Sequence, residues 1–174
     1  MKALQLAASL AAASVFAIAS AQDKGPTDPQ IAGIVVAANK IDVDAGKIAK
    51  SHSKNKEVQQ FAQQMITDHT AVNKQAGDLA AKLSLTPEDN DVSKQLASGA
   101  DATRDAMKAQ AGATFDKAYI DNEVAYHQAV IDMLDSKLIP GAQNAELKSL
   151  LESAKPAFVA HLDHAKKVQA SLAK

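Results

Sequence analysis

From Asp28 onward, apolar residues recur at intervals of three and four, and runs that alternate apolar with polar are missing. At about 100° per residue this spacing gathers the apolar side chains into one stripe along a helix. The chain is therefore expected to be all-α. Helix one should open with Asp28 as N-cap and Pro29 in its first turn, and run to about Ser51. Its stripe carries Ile31, Ile34, Val35, Ala38, Ile41, Ala45 and Ile48. Helix two should begin near Asn55, carry Val58, Phe61, Ala62, Met65, Val72, Ala76, Leu79 and Leu83, and stop before Thr86-Pro87.

The next segment, Val92 to Gln110, has only a narrow stripe of Val92, Leu96, Ala100, Thr103 and Met107, with Gly99 in its middle. It reads as a helical crossover. Helix three should run from Phe115 to about Leu138, where Pro140-Gly141 ends it, and helix four from near Asn144 to Leu172 with a bend at Pro156. Four long helices with one long connection between the second and third describe a ferritin-like four-helix bundle.

Upstream of the periodic region, Met1-Lys2 precedes an uncharged run from Ala3 to Ala21 that closes on Ala19-Ser20-Ala21. One positive residue, a short Ala-rich stretch and small residues three apart predict a bacterial signal peptide over residues 1–21. The run is too short and too rich in alanine for a stable membrane anchor. Residues 22–174 then form one domain, long enough for a real core and expected in the periplasm or outside the cell. No cysteine occurs, so neither a lipoprotein anchor nor a disulfide can form. With 19 basic against 20 acidic residues, two tyrosines and no tryptophan, the chain offers nucleic acid neither a basic face nor stacking rings. Neither a Gly-rich phosphate loop nor a Gly-x-Ser-x-Gly elbow is present.

The polar residues that fall inside the apolar stripes are the informative ones. His69 lies almost at the centre of the stripe of helix two, with Asp68 at its edge. Asp42 is in phase with Val35 and Ala49 on helix one. Glu123 and His127, at i and i+4, share the inner face of helix three with Tyr119, and Tyr126 lies nearby. His161 is in line with Ala154, Phe158, Ala165 and Val168 on helix four, and His164 stands at the margin. If the crossover returns the chain to the end where helix two began, Asp42, His69, Glu123, His127 and His161 all lie about 13 to 21 Å from that end. They should form one layer.

Buried carboxylates need partners, and the imidazoles are the nearest. Two arrangements satisfy the sequence. One is an interhelical network in which Asp42 and Glu123 accept hydrogen bonds from the histidines, with Tyr119 or Tyr126 joining in, so that the layer fixes helix register. The other is a metal ion held by His69, His127, His161 and one or both acids, with Asp68 and His164 as outer partners.

The stretches "IDVDAGKIAKSHS", "VQQFAQQMITDHTAVN", "GATFDKAYIDNEVAYHQAVIDML" and "AFVAHLDHAKKV" resemble domain-of-unknown-function family 4142, a bacterial and often secreted ferritin-like family. Phe61-Ala62, Met65, Asp68-His69, Phe115-Asp116, Tyr119, His127 and His161 carry most of the likeness, which covers nearly the whole mature chain. The resemblance implies the four-helix fold and no established catalytic activity. Family members often show glutamate around Asp42-Val43-Asp44, where this chain has the shorter aspartate.

Ferritin-like iron oxidases use a glutamate on each of two helices and Glu-x-x-His on the other two. No Glu-x-x-His occurs here. Two inner carboxylates can neutralise one divalent ion, whereas a di-iron centre has about four. A single zinc, copper or nickel ion suits such a histidine-rich set better than magnesium or calcium. The expected protein is thus an exported, non-enzymatic helical bundle that binds one transition-metal ion. Its rivals are an envelope interaction or structural module with a hydrogen-bonded polar layer, in which Val36 and Val43 mark an outer face, and a metal-dependent redox enzyme using Tyr119 or Tyr126. Protein partners are not legible.

Overall fold

The computed structural model describes residues 25–173, and among them every regular element is helical. The expected signal peptide, residues 1–21, lies outside them. Helix α1 spans Asp28–His52, α2 Lys56–Lys82, α3 Asp91–Lys108, α4 Gly112–Met133 and α5 Ala145–Leu172. A π-helical segment, Leu134–Leu138, and a short turn, Ile139–Gly141, prolong α4. Pro140 in that turn has no N–H to return to the preceding turn, and the wider π segment lies immediately before it.

The caps explain where the helices begin. Thr27, rather than Asp28, caps α1: its hydroxyl accepts from the Gln30 N–H while the Gln30 side chain accepts from the Thr27 N–H. Asp28 is freed for another task. Its carboxylate accepts from the N–H groups of Gln143 and Asn144 at 2.8 and 2.9 Å, tying the start of α1 to the start of α5. Asn55, Asn90 and Asn144 cap α2, α3 and α5. Helix α4 begins at Gly112, three residues earlier than the expected Phe115, because Gly112 takes φ 57° and turns the chain sharply out of α3. Helix α5 runs on through Pro156 without a break.

Cross-helix pairs fix the arrangement. His69 meets Asn39 across α1 and α2, His161 and His164 of α5 meet Asp68 and Gln64 of α2, Asp121 of α4 and Asp135 of the π segment meet Gln169 and Lys155 of α5, and Tyr126 of α4 reaches Ala38 of α1. In each of these interfaces the helices run antiparallel, which leaves α2 parallel to α4. That is why α3 is needed: it carries the chain back along the outside, packed on α1 and α4.

Two apolar clusters fill the two ends. One joins Ile31, Ile34, Val130, Leu134, Leu147, Leu151, Phe158 and their neighbours. The other joins Val58, Phe61, Met65, Phe115, Tyr119, Ile120 and Val168. Among the described residues, no helix is long and apolar enough to cross a membrane.

Candidate metal centre

Between the two clusters lies the polar layer. Asp42 comes from α1, His69 from α2, Glu123 and His127 from α4, and His161 from α5, and all five are buried. The three imidazole rings form a near-equilateral triangle, with centroids 5.1 Å apart for His69 and His161, 5.5 Å for His127 and His161, and 5.6 Å for His69 and His127. Each ring offers a nitrogen within 4.8 Å of the other two. Asp42, Glu123 and His127 make a second such group, so His127 is common to both.

Each ring is held from outside by an acceptor that sets its tautomer. The Asn39 amide donates to the Val35 carbonyl at 2.8 Å, so its oxygen faces His69 Nδ1 at 2.7 Å and must accept the imidazole proton. His127 Nδ1 lies 3.0 Å from the Glu123 backbone carbonyl, which can only accept. His161 Nε2 lies 2.9 Å from the Asp68 carboxylate. The protons therefore sit on the outer nitrogens. Left bare are His69 Nε2, His127 Nε2 and His161 Nδ1, and none of these has a hydrogen-bond partner among the described residues.

Bare lone pairs gathered in a buried space repel one another and want a cation. Protons are a poor answer here. Burial drives the His69 imidazole down to about 2, helped by the neighbouring His127 and His161. Burial likewise takes His127 down to about 4, against the opposing pull of the Glu123 carbonyl. His69 and His127 stay neutral at any ordinary pH, as metal ligands must.

The carboxyls are pushed the other way. Burial raises Asp42 to about 8, an effect that the neighbouring Glu123 carboxyl partly offsets. Burial, and then the charge of Asp42, raises Glu123 well above the usual carboxylate range. Without a cation, the two acids hold protons that a divalent ion would displace. Asp42 Oδ2 stands 3.5 Å from His69 Nε2, and Glu123 Oε2 stands 3.5 Å from His127 Nδ1, both too long for hydrogen bonds. Among the described residues, Asp42 Oδ2 and both Glu123 oxygens have no hydrogen-bond partner.

The outer residues divide. Asp68 is half-exposed and holds His161; His164 is half-buried and meets Gln64 at 2.9 Å through Nδ1. Tyr126 does not join the carboxylates, because its hydroxyl donates to the Ala38 carbonyl at 3.1 Å. Tyr119 is fully buried and its hydroxyl has no partner among the described residues. Burial and the acids Glu123 and Asp42 raise its pKa, so it stays a phenol. The residue that sequence reading missed is Asn39. Its trace was there: an amide three residues before Asp42, inside the stripe of α1.

No curated protein and no solved structure matches this chain. The family model described as domain of unknown function DUF4142 matches residues 13–168, a span that includes every residue of the polar layer. The chain belongs to the DUF4142 family.

Proposed function

We propose that the protein is an exported, ferritin-like four-helix bundle that binds one transition-metal ion between His69, His127 and His161. Asp42 and Glu123 supply the compensating charge. Its role is metal binding in the cell envelope rather than catalysis. The observation that carries this reading is the set of three bare, inward nitrogens, each left bare by a hydrogen bond on the opposite side of its ring. Three imidazole ligands favour zinc, copper or nickel over magnesium or calcium. Two carboxylates balance one divalent ion and fall short of a di-iron centre.

A purely hydrogen-bonded layer explains the outer nitrogens and leaves the inner atoms of the same rings without partners. An outer docking face has less support: Val36 and Val43 are half-buried, and Val159, 38% exposed, is the one exposed large apolar residue among those described. Calorimetric titration with Zn²⁺ and Cu²⁺ tests the proposal. One ion per chain should bind, with affinity reduced at least about 100-fold in His127→Ala. Absence of stoichiometric uptake, or uptake unchanged in His69→Ala, overturns it.

A further inference from the structure

The layer is closed on most sides. Between α1 and α2 the backbones approach so closely that a Cβ at Gly46 would lie 2.9 Å from the Ala62 carbonyl oxygen. The α1–α4 side is covered by α3. Phe158, from the first apolar cluster, packs its ring 5.2 Å from His69 and 6.1 Å from His127. Tyr119 belongs to the cluster at the other end.

The α2–α5 seam is different. Along it lie Gln64 with His164 and, one turn further, Asp68 with His161. Beyond His164, toward the start of α2, a recess is lined by Glu57, Gln60, His164, Lys167, Val168 and Ser171. Asp68 has 40% of its side chain exposed, whereas the His161 side chain bonded to it has 4%. His161 thus has one nitrogen on a solvent-facing carboxylate and the other bare beside His69 and His127. Of the three outer acceptors, Asn39 and the Glu123 carbonyl are buried and neutral; Asp68 alone is both charged and open to water.

The geometry points to the α2–α5 seam as the path by which a divalent transition-metal cation reaches the layer, with Asp68 as the outer capture ligand and His161 as the side chain that passes the ion inward. This inference rests on the metal-binding reading above and adds a route to it. Asp68 draws the cation from solvent by its charge and gives it one oxygen ligand. Movement of the His161 ring then exposes the inner nitrogens of His69 and His127 and closes behind the ion. A capture ligand acts on the way in, so its loss slows uptake and does not quicken release. Loss of a residue that merely orients His161 does the opposite.

Asp68→Asn separates the two roles, since the amide oxygen still accepts from His161 Nε2 while the charge is gone. The probe is Co²⁺ added to the full-length chain, followed by its visible absorption in stopped flow, with release measured into excess EDTA. Uptake by Asp68→Asn should slow at least about tenfold, and release should not quicken. The dependence of uptake rate on ionic strength should flatten, so that any affinity lost is lost through slower uptake. Thr103→Val, on α3 at the opposite side, should leave both rates unchanged. Unchanged uptake in Asp68→Asn, or slowed uptake with faster release and weakened Kd, overturns the route while leaving the metal site standing. A wild-type chain that takes up no Co²⁺ or Zn²⁺ overturns both.

Discussion

The apolar clusters at the two ends and the polar layer between them are built on the same helices, at the same burial, with opposite chemistry. In the clusters, Phe115 stacks near-parallel on Tyr119 at 6.4 Å, Phe61 meets Tyr119 edge-on at 6.1 Å, and the aliphatic side chains fill the remaining space. Apart from the Tyr119 hydroxyl, shape alone satisfies them. In the layer, the same depth of burial leaves three imidazole nitrogens, one Asp42 oxygen and both Glu123 oxygens without partners among the described residues. A core made only for stability would place leucine at these positions, because unpaired buried polar atoms cost about 1–3 kcal/mol each. The contrast says that the ends of the bundle hold the fold and the middle is held by it.

Mutations at the two kinds of site should therefore have opposite signs. Phe115→Ala, at the fully buried centre of one cluster, should cost about 3–5 kcal/mol in urea unfolding, with or without metal. Saturating zinc, at about 100 times its Kd, should stabilise the wild type by about 2.7 kcal/mol. His127→Ala should lose that gain. Glu123→Met should stabilise the metal-free protein by about 1–3 kcal/mol, since it replaces an unpartnered carboxyl with a side chain that packs. The same variant should bind zinc more weakly. A loss of apo stability in Glu123→Met would mean that the layer already satisfies itself.

Titration sharpens the contrast further. The Asp42 carboxyl is raised from 3.8 to about 8, so the folded metal-free protein holds a proton that the unfolded chain releases. Its stabilising contribution is complete at acid pH and is lost as pH rises through 8. His69, lowered from 6.5 to about 2, works in the other direction and is spent by pH 6.5. Between pH 6.5 and 8 the acids alone act, and apo stability should fall by about 1.4 kcal/mol per pH unit for each proton held. Urea unfolding in EDTA should show a shallower slope in Asp42→Asn. With zinc bound the slope should reverse, because alkaline conditions free the carboxylates for the ion. The smallest effect belongs to the surface: Lys74→Ala, which breaks an exposed pair with Asp78, should change stability by less than about 0.5 kcal/mol.

Much of this was readable in the linear sequence, for a physical reason. Helical period fixes which residues share a face, and rise per residue fixes height, so His69, His127, His161, Asp42 and Glu123 could be placed in one layer before any coordinates. Second contacts were not readable. Whether Tyr126 turns to Glu123 or to the Ala38 carbonyl depends on a few degrees of helix rotation, and Thr27 rather than Asp28 caps α1 because Asp28 is claimed by the start of α5. The place of Asn39 inside the α1 stripe was legible, but its role depends on which way the Val35 carbonyl turns the amide, and spacing does not fix that.

The central claim is that His69, His127 and His161 share a single ion. X-ray absorption at the zinc edge of the loaded protein measures this directly. The account predicts three imidazole nitrogens at about 2.0–2.1 Å, with oxygen completing the shell, and one fewer imidazole in each of the three single His→Ala variants. A shell of oxygen alone, or an imidazole count unchanged by all three substitutions, would contradict it.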